Sequence, residues 1–179
     1  MSIKALFIDR DIVHLPQVQA IRNRLGNVPA NPIQGLQEVF DTVLAARDPV
    51  RKGKEVLVLT RNRGEFIRKC PGTRCYTCCG YMILHIGTFC TLDCSYCILQ
   101  SYFHPPVLQF FVNYEDMFSE LEHLFSEKRL SRIGTGEFTD SMIWESITDL
   151  SGQLVTRFAR QSSSILELKT KTVAVDGLK

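Results

Sequence analysis

The chain has 179 residues, of which 45% are hydrophobic and 22% charged, with a formal net charge of +2. Such a composition suits one ordinary globular core, and a charge so close to neutral gives no electrostatic argument for a nucleic-acid partner. No apolar run reaches the length of a membrane span. Asp9, Arg10 and Asp11 interrupt the opening stretch where a secretory leader needs its apolar centre, so the expected setting is the reducing cytoplasm.

In chain order, Lys4–Ile8 is a short apolar run that predicts a strand. Pro16 suits the first turn of a helix carrying Val18, Ile21 and Leu25 on one side, with Gly26 to end it. Residues 27–35, with Pro29 and Pro32, predict a loop. Leu36, Val39, Phe40, Val43 and Leu44 repeat at helical spacing up to Asp48-Pro49. Glu55–Thr60 predicts a strand and residues 61–64 a turn. Residues 65–104 are dense in Cys, Gly and aromatic residues and poor in periodicity, as a site-bearing loop region would be. Within them Tyr81–Gly87 predicts a buried strand, and His85 a hydrogen-bonded core histidine.

After that region Val107–Asn113 predicts an extended segment, and Met117, Phe118, Leu121, Leu124 and Phe125 one helical face. Ser131–Phe138 predicts a strand running into Gly134-Thr135-Gly136-Glu137. Ile143, Ile147, Leu150, Leu154 and Phe158 predict a long helix, and Ile165–Thr172 a further strand. Alternation of strand and helix is the pattern of parallel β/α units. Three parallel strands alone would leave a raw edge. The chain is therefore expected to be the first part of a longer protein.

All seven cysteines lie between Cys70 and Cys97. In a reducing compartment an odd, clustered set points to metal or redox chemistry before disulfides. Cys90, Cys94 and Cys97 have the spacing C-x3-C-x2-C. Structural zinc sites usually pair two separated knuckles, and ferredoxin runs carry enough cysteines to fill every iron. Three thiols in eight residues would leave one iron of a four-iron cluster without a protein ligand, open to a substrate.

That spacing, with Tyr96 before the last thiol, resembles the radical S-adenosylmethionine (SAM) superfamily. Cys97-Ile98-Leu99-Gln100, Thr139-Asp140 and Thr170-Lys171 resemble, more narrowly, spore photoproduct lyase and its relatives. The resemblance implies an α/β fold, the first half of a partial parallel β/α (TIM-like) barrel over residues 65–179, after a small N-terminal α/β segment over 1–64. It implies a [4Fe-4S] cluster on Cys90, Cys94 and Cys97. It further implies SAM on the open iron, contacted by Tyr96, Gly136, Glu137, Thr139 and Lys171. The partners implied are an electron donor such as a flavodoxin or ferredoxin, and damaged DNA. Two departures stand beside these matches. Ile98 occupies the place of a radical-relaying tyrosine, and no cysteine follows Cys97, so the resemblance names the cofactor chemistry and leaves the substrate open.

Cys70, Cys75, Cys78 and Cys79 form a second group at C-x4-C-x2-C-C. A second metal site, a hydrogen-donating thiol and simple buried packing are all open for it. The competing function for the whole chain is a non-catalytic, cysteine-rich zinc module that contacts nucleic acid or protein.

Overall fold

The computed structural model describes residues 3–72 and 74–178. Its strands fall into two sheets. The first runs in the order β2 (Ala30–Ile33), β1 (Ala5–Asp9), β3 (Val56–Thr60), β7 (Leu108–Phe111), β6 (Gly87–Thr88). Every pairing in it is parallel except β6 with β7. The second runs β4 (Ile67–Lys69), β5 (Tyr81–Leu84), β8 (Ser131–Gly134), β9 (Ser164–Glu167), with β5, β8 and β9 parallel and β4 antiparallel to β5.

The centre of the first sheet is β3, buried along its whole length. Leu57 and Leu59 face the main core, while Val56 and Val58 join Ile33, Val39, Val43 and Val107 in a smaller one. Alternation of side chains along a strand that is covered on both faces requires a continuous apolar run, which EVLVLT supplies. Helix α2 (Gln37–Leu44) covers the smaller core through Val39 and Val43. Helix α1 (Pro16–Leu25) buries Val18 and Ile21 in the main one, and Gly26, at φ 63°, caps it.

The main core spans both sheets. Leu6, Leu57 and Phe110 of the first belong to one buried cluster with Leu84 and Ile133 of the second. Helix α5 (Tyr114–Ser126) contributes Met117, Leu121 and Leu124 to it. The Glu120 carboxylate of α5 accepts hydrogen bonds from the Phe66 and Ile67 N–H groups, both at 2.9 Å, and so ties the helix to β4. Helix α6 (Leu150–Phe158) packs beside β9 and buries Leu150, Leu154 and Phe158.

Several expectations are corrected. Residues 27–35 contain the strand β2 despite Pro32. The strand is at the sheet edge, where the missing N–H costs no ladder bond. Past the helical pattern that stops before Asp48-Pro49 lies a short helix the sequence reading did not name, α3 (Pro49–Lys54), whose N-cap Asp48 accepts from the Arg51 N–H. The long helix expected from Ile143 begins only at Leu150, because residues 142–148 turn through tighter bonds such as Glu145 N–H to Met142 O and Ile147 N–H to Trp144 O. The strands at 107–113, 131–138 and 165–172 do not form one sheet: β7 pairs with β3, and only β8 and β9 pair with each other. The last of them stops at Glu167, since beyond it the backbone donors are taken by side chains of another loop.

Candidate functional site

The parallel strands of the second sheet each lead, past their C-terminal ends, into a loop of one site. This is the edge at which open α/β sheets bind ligands. The chain from β5 passes through β6 to Cys90, β8 runs into Thr135–Asp140, and β9 runs into Lys169–Lys171. These loops enclose a cavity of about 140 Å³. The cysteine loop lines it with Cys90, Leu92, Cys94, Tyr96 and Cys97, and Leu99 adds the first residue of α4 (Leu99–Tyr102). The loop after β8 adds Gly136, Thr139 and Asp140, and the loop after β9 adds Lys169 and Lys171.

Local conformation aims the thiols. Phe89 sits at φ 67°, a left-handed setting that costs a non-glycine residue about 1–3 kcal/mol and persists only where the surroundings enforce it. Its ring is fully buried and meets Phe103 edge-on at 6.3 Å, so the chain must turn there and present Cys90. Cys90 is buried, and its Sγ accepts the Leu92 N–H at 3.4 Å; Cys94 and Cys97 are half-buried. Burial pushes the Cys90 thiol up, while the N–H groups of Leu92 and Asp140 pull it down. The Cys97 N–H donates to Cys94 O at 2.9 Å, and the Gln100 side chain donates to the same oxygen at 2.9 Å, closing the loop on itself.

The loops after β8 and β9 are stitched together by side chains. Asp140, 8% exposed, accepts from the Met142 N–H at 2.9 Å and the Thr170 hydroxyl at 2.8 Å on one oxygen, and from the Lys171 N–H at 2.6 Å on the other. The Ser141 hydroxyl accepts the Lys169 N–H at 2.9 Å, and the Ser141 N–H donates to Lys169 O at 3.0 Å. Gly136 makes this approach possible: a Cβ there would lie 2.7 Å from Lys169 Cβ and 3.2 Å from its carbonyl oxygen.

Lys169 Nζ lies 3.5 Å from the Glu137 carboxylate, 3.3 Å from that of Glu167, and 4.6 Å from the Tyr81 ring centroid. Burial works against its charge, but Tyr81, Glu167 and Glu137 together hold its pKa above the ordinary lysine value. Lys171 is exposed, as is the Tyr96 ring at 75%.

Of the residues singled out in the sequence, Cys90, Cys94, Cys97, Tyr96, Gly136, Thr139 and Lys171 line the cavity together. Glu137 does not line it and points instead to Lys169. Sequence reasoning missed Lys169 and the cavity-facing role of Asp140. An acid four residues past Gly136, in the Thr139-Asp140 pair, was the signal available for Asp140; Lys169, one of two lysines in a Lys-Thr-Lys run, had none. His85 is not hydrogen-bonded as expected: neither ring nitrogen has a partner among the described residues, and the ring stands edge-on to Phe111 and Phe138, each at 4.9 Å. Burial and the nearby Arg68 lower its pKa to about 4.

Three thiols at one cavity mouth are a donor set suited to an iron–sulfur cluster. Among the described residues no group of three His, Cys, Asp or Glu converges on a single ion. A cluster offers a separate iron to each thiolate, so its ligands need not meet at a point.

Parallel strands whose C-terminal loops enclose a cysteine-lined cavity define an α/β protein with a soft-ligand site. Solved structures similar to it are those of spore photoproduct lyase. A variant of that enzyme matches with a TM-score of 0.78 at 17% identity, covering 98% of this chain and 52% of that chain. A lyase complexed with dinucleoside spore photoproduct gives the same figures. A variant with bound S-adenosylmethionine and dinucleoside spore photoproduct gives a TM-score of 0.75 at 17% identity. The chain thus spans about half the length of the structures it matches, and its resemblance to that family holds in the fold. No family model matches the chain, and no curated protein does.

Proposed function

We propose that this chain is the cluster- and SAM-binding part of a radical SAM enzyme of the spore photoproduct lyase type. The observation that carries the reading is the single cavity that gathers Cys90, Cys94 and Cys97 with Gly136, Thr139 and Lys171, drawn from the ends of successive strands. In this reading the second sheet is the start of a partial β/α barrel, and residues 1–64 are a scaffold that lends no side chain to the cavity.

When bound, a [4Fe-4S] cluster supplies the electron that cleaves the SAM sulfonium and releases a 5′-deoxyadenosyl radical. The chain's own residues bind and orient. Cys90, Cys94 and Cys97 would hold the cluster and leave it open to SAM. The Lys171 and Lys169 ammonium groups, both lining the cavity, would offer charge to the SAM carboxylate, and Glu137, outside the lining, would hold Lys169 through its ion pair. Tyr96 presents an open ring face for the adenine. Gly136 and Thr139 shape the wall against which the methionyl chain lies.

For the substrate we propose a nucleic-acid lesion, since two of the similar structures are described with dinucleoside spore photoproduct. A lesion in duplex DNA must leave the stack to reach such a cavity. A flavodoxin- or ferredoxin-like donor in the cytoplasm suits the electron requirement. Among the described residues no helix is long and apolar enough to cross a membrane.

The deciding experiment is anaerobic reconstitution with iron and sulfide, followed by SAM and dithionite. A brown protein with broad absorption near ~400 nm that bleaches on reduction and yields 5′-deoxyadenosine supports the reading. A colourless protein that takes up zinc alone returns the chain to the zinc-module alternative.

A further inference from the structure

The ladder between β8 and β9 ends at Gly134 and Glu167, with a last bond from the Thr135 N–H to Glu167 O at 3.4 Å. Beyond that point two buried side chains take the place of the ladder. The Ser141 hydroxyl accepts the Lys169 N–H, and the Ser141 N–H donates back to Lys169 O. The Thr135 hydroxyl donates to the same serine oxygen at 2.8 Å, and Thr135, Asp140 and Ser141 are all buried. Asp140 then holds the next two residues, Thr170 by its hydroxyl at 2.8 Å and Lys171 by its N–H at 2.6 Å.

A buried carboxylate is costly unless donors satisfy it. Among the described residues Asp140 has no ion-pair partner, and its charge is met by donors on Met142, Thr170 and Lys171. The same residue acts on the cysteine loop. At Cys90 burial pushes the thiol up, the Asp140 N–H pulls it down and the Asp140 carboxylate pushes it up. Lys171 lines the cavity, yet it is exposed and, among the described residues, its ammonium has no ion-pair partner. Its direction is therefore set by its backbone, and that backbone is tied to Asp140.

We propose that Asp140 is a positioning residue for SAM, one that fixes the Thr170–Lys171 backbone against the loop carrying Cys90 and so aims the Lys171 ammonium into the cavity. The inference rests on the radical SAM reading and adds to it the residue that places the lysine. Both oxygens of the carboxylate are engaged, one by Met142 and Thr170 and the other by Lys171. A side chain with a single acceptor can keep only part of that set. Asp140 acts through Lys171, so its effect on SAM depends on that lysine being present.

The test has two arms on the full chain. In metal-free protein, amide hydrogen exchange of residues 168–172 is expected to quicken roughly tenfold or more in Asp140→Ala, and less in Asp140→Asn, which keeps one acceptor oxygen. In cluster-loaded protein, Asp140→Ala should retain its iron and sulfide and bind labelled SAM about tenfold more weakly in equilibrium dialysis. Placed in a Lys171→Ala background, the same change should cost less than about twofold, because coupled residues do not add. If Asp140→Ala does not fold by circular dichroism, Asp140→Asn carries both arms. Unchanged exchange, or an equal loss of SAM affinity with and without Lys171, overturns the proposal. A parent chain that assembles no cluster and binds no SAM overturns the radical SAM reading and the SAM role with it, while the exchange arm still decides whether Asp140 fixes the lysine.

Discussion

The Lys54 ammonium donates to the carbonyl oxygen of Leu92 at 2.8 Å, reaching from the last turn of α3 into the middle of the cysteine loop. Its side chain is only 9% exposed; it also pairs with the Asp93 carboxylate and lies 5.9 Å from the Phe89 ring centroid. The helix can stand that close because Gly53 faces Pro106: a Cβ there would fall 1.5 Å from the proline carbonyl oxygen. A residue of the N-terminal scaffold thus holds the loop that carries the cavity thiols.

Lys54→Met is therefore expected to loosen that loop without touching the thiols themselves. Losing a charge-assisted hydrogen bond worth about 1.5–3 kcal/mol should speed alkylation of the buried Cys90 in metal-free protein by roughly tenfold or more. Mass spectrometry of the labelled Cys90 peptide measures it. Lys54→Arg, which can still donate, should restore part of the protection, and unchanged labelling in Lys54→Met would show that the contact holds nothing.

Gly136→Ala should be costly where most surface glycine changes are not. The new methyl meets both the side chain and the backbone of Lys169, and forcing atoms into a closed contact costs about 1–3 kcal/mol. Gly35→Ala, with nothing within 4 Å of the added Cβ, is the control and should stay within about 0.5 kcal/mol. Urea denaturation of both variants beside the parent gives the comparison.

The pH dependence of stability carries the signature of His85. Its folded pKa of about 4 lies below the ordinary value of 6.5, so the unfolded chain binds the extra proton first. Stability is full above pH 6.5 and is lost progressively as pH falls through the window down to about 4. The whole effect is at most about 3 kcal/mol by linkage. His85→Leu, which keeps an apolar side chain between Phe111 and Phe138, should flatten that part of the curve. Midpoints of urea unfolding at successive pH values would read it, and parallel curves for the two proteins would remove His85 as the cause.

Replacing the ligands separates cluster from cosubstrate. Cys94→Ala should prevent assembly of a four-iron cluster, measured as bound iron and sulfide after reconstitution. Lys171→Ala should leave the cluster content intact and weaken SAM binding by about tenfold, the worth of one exposed charge-assisted contact of ~1.4 kcal/mol. Equilibrium dialysis with labelled SAM tests the second. A four-iron cluster retained in Cys94→Ala would remove that residue from the ligand set.

Where one periodicity ran unbroken, the sequence was readable. EVLVLT was read as a strand and is one, covered on both faces, and the apolar face of α5 fell as its spacing predicts. Legibility failed where side chains overrule the backbone pattern. Ile143 and Ile147 keep helical spacing, yet Asp140 captures the Met142 N–H and the following residues turn too tightly for a helix. Residues 168–171 keep a strand-like composition, yet Ser141 and Asp140 take the donors of Lys169 and Lys171. The motif residues of the cavity were legible because ligand chemistry restricts which residue types can serve. Lys54, its supporting contact, was not, because a lysine that packs against a distant loop looks in sequence like any solvated lysine.

The order in which the strands join their sheets has one further consequence. The chain builds β1, β2 and β3 in the first sheet, leaves for β4 and β5 in the second, returns for β6 and β7, and departs again for β8 and β9. No single cut can leave both sheets whole: before β4 it strips the first sheet of two strands, and after β7 it divides the second. The scaffold and the cavity are therefore expected to melt as one cooperative unit, and damage to either will be felt at the thiols.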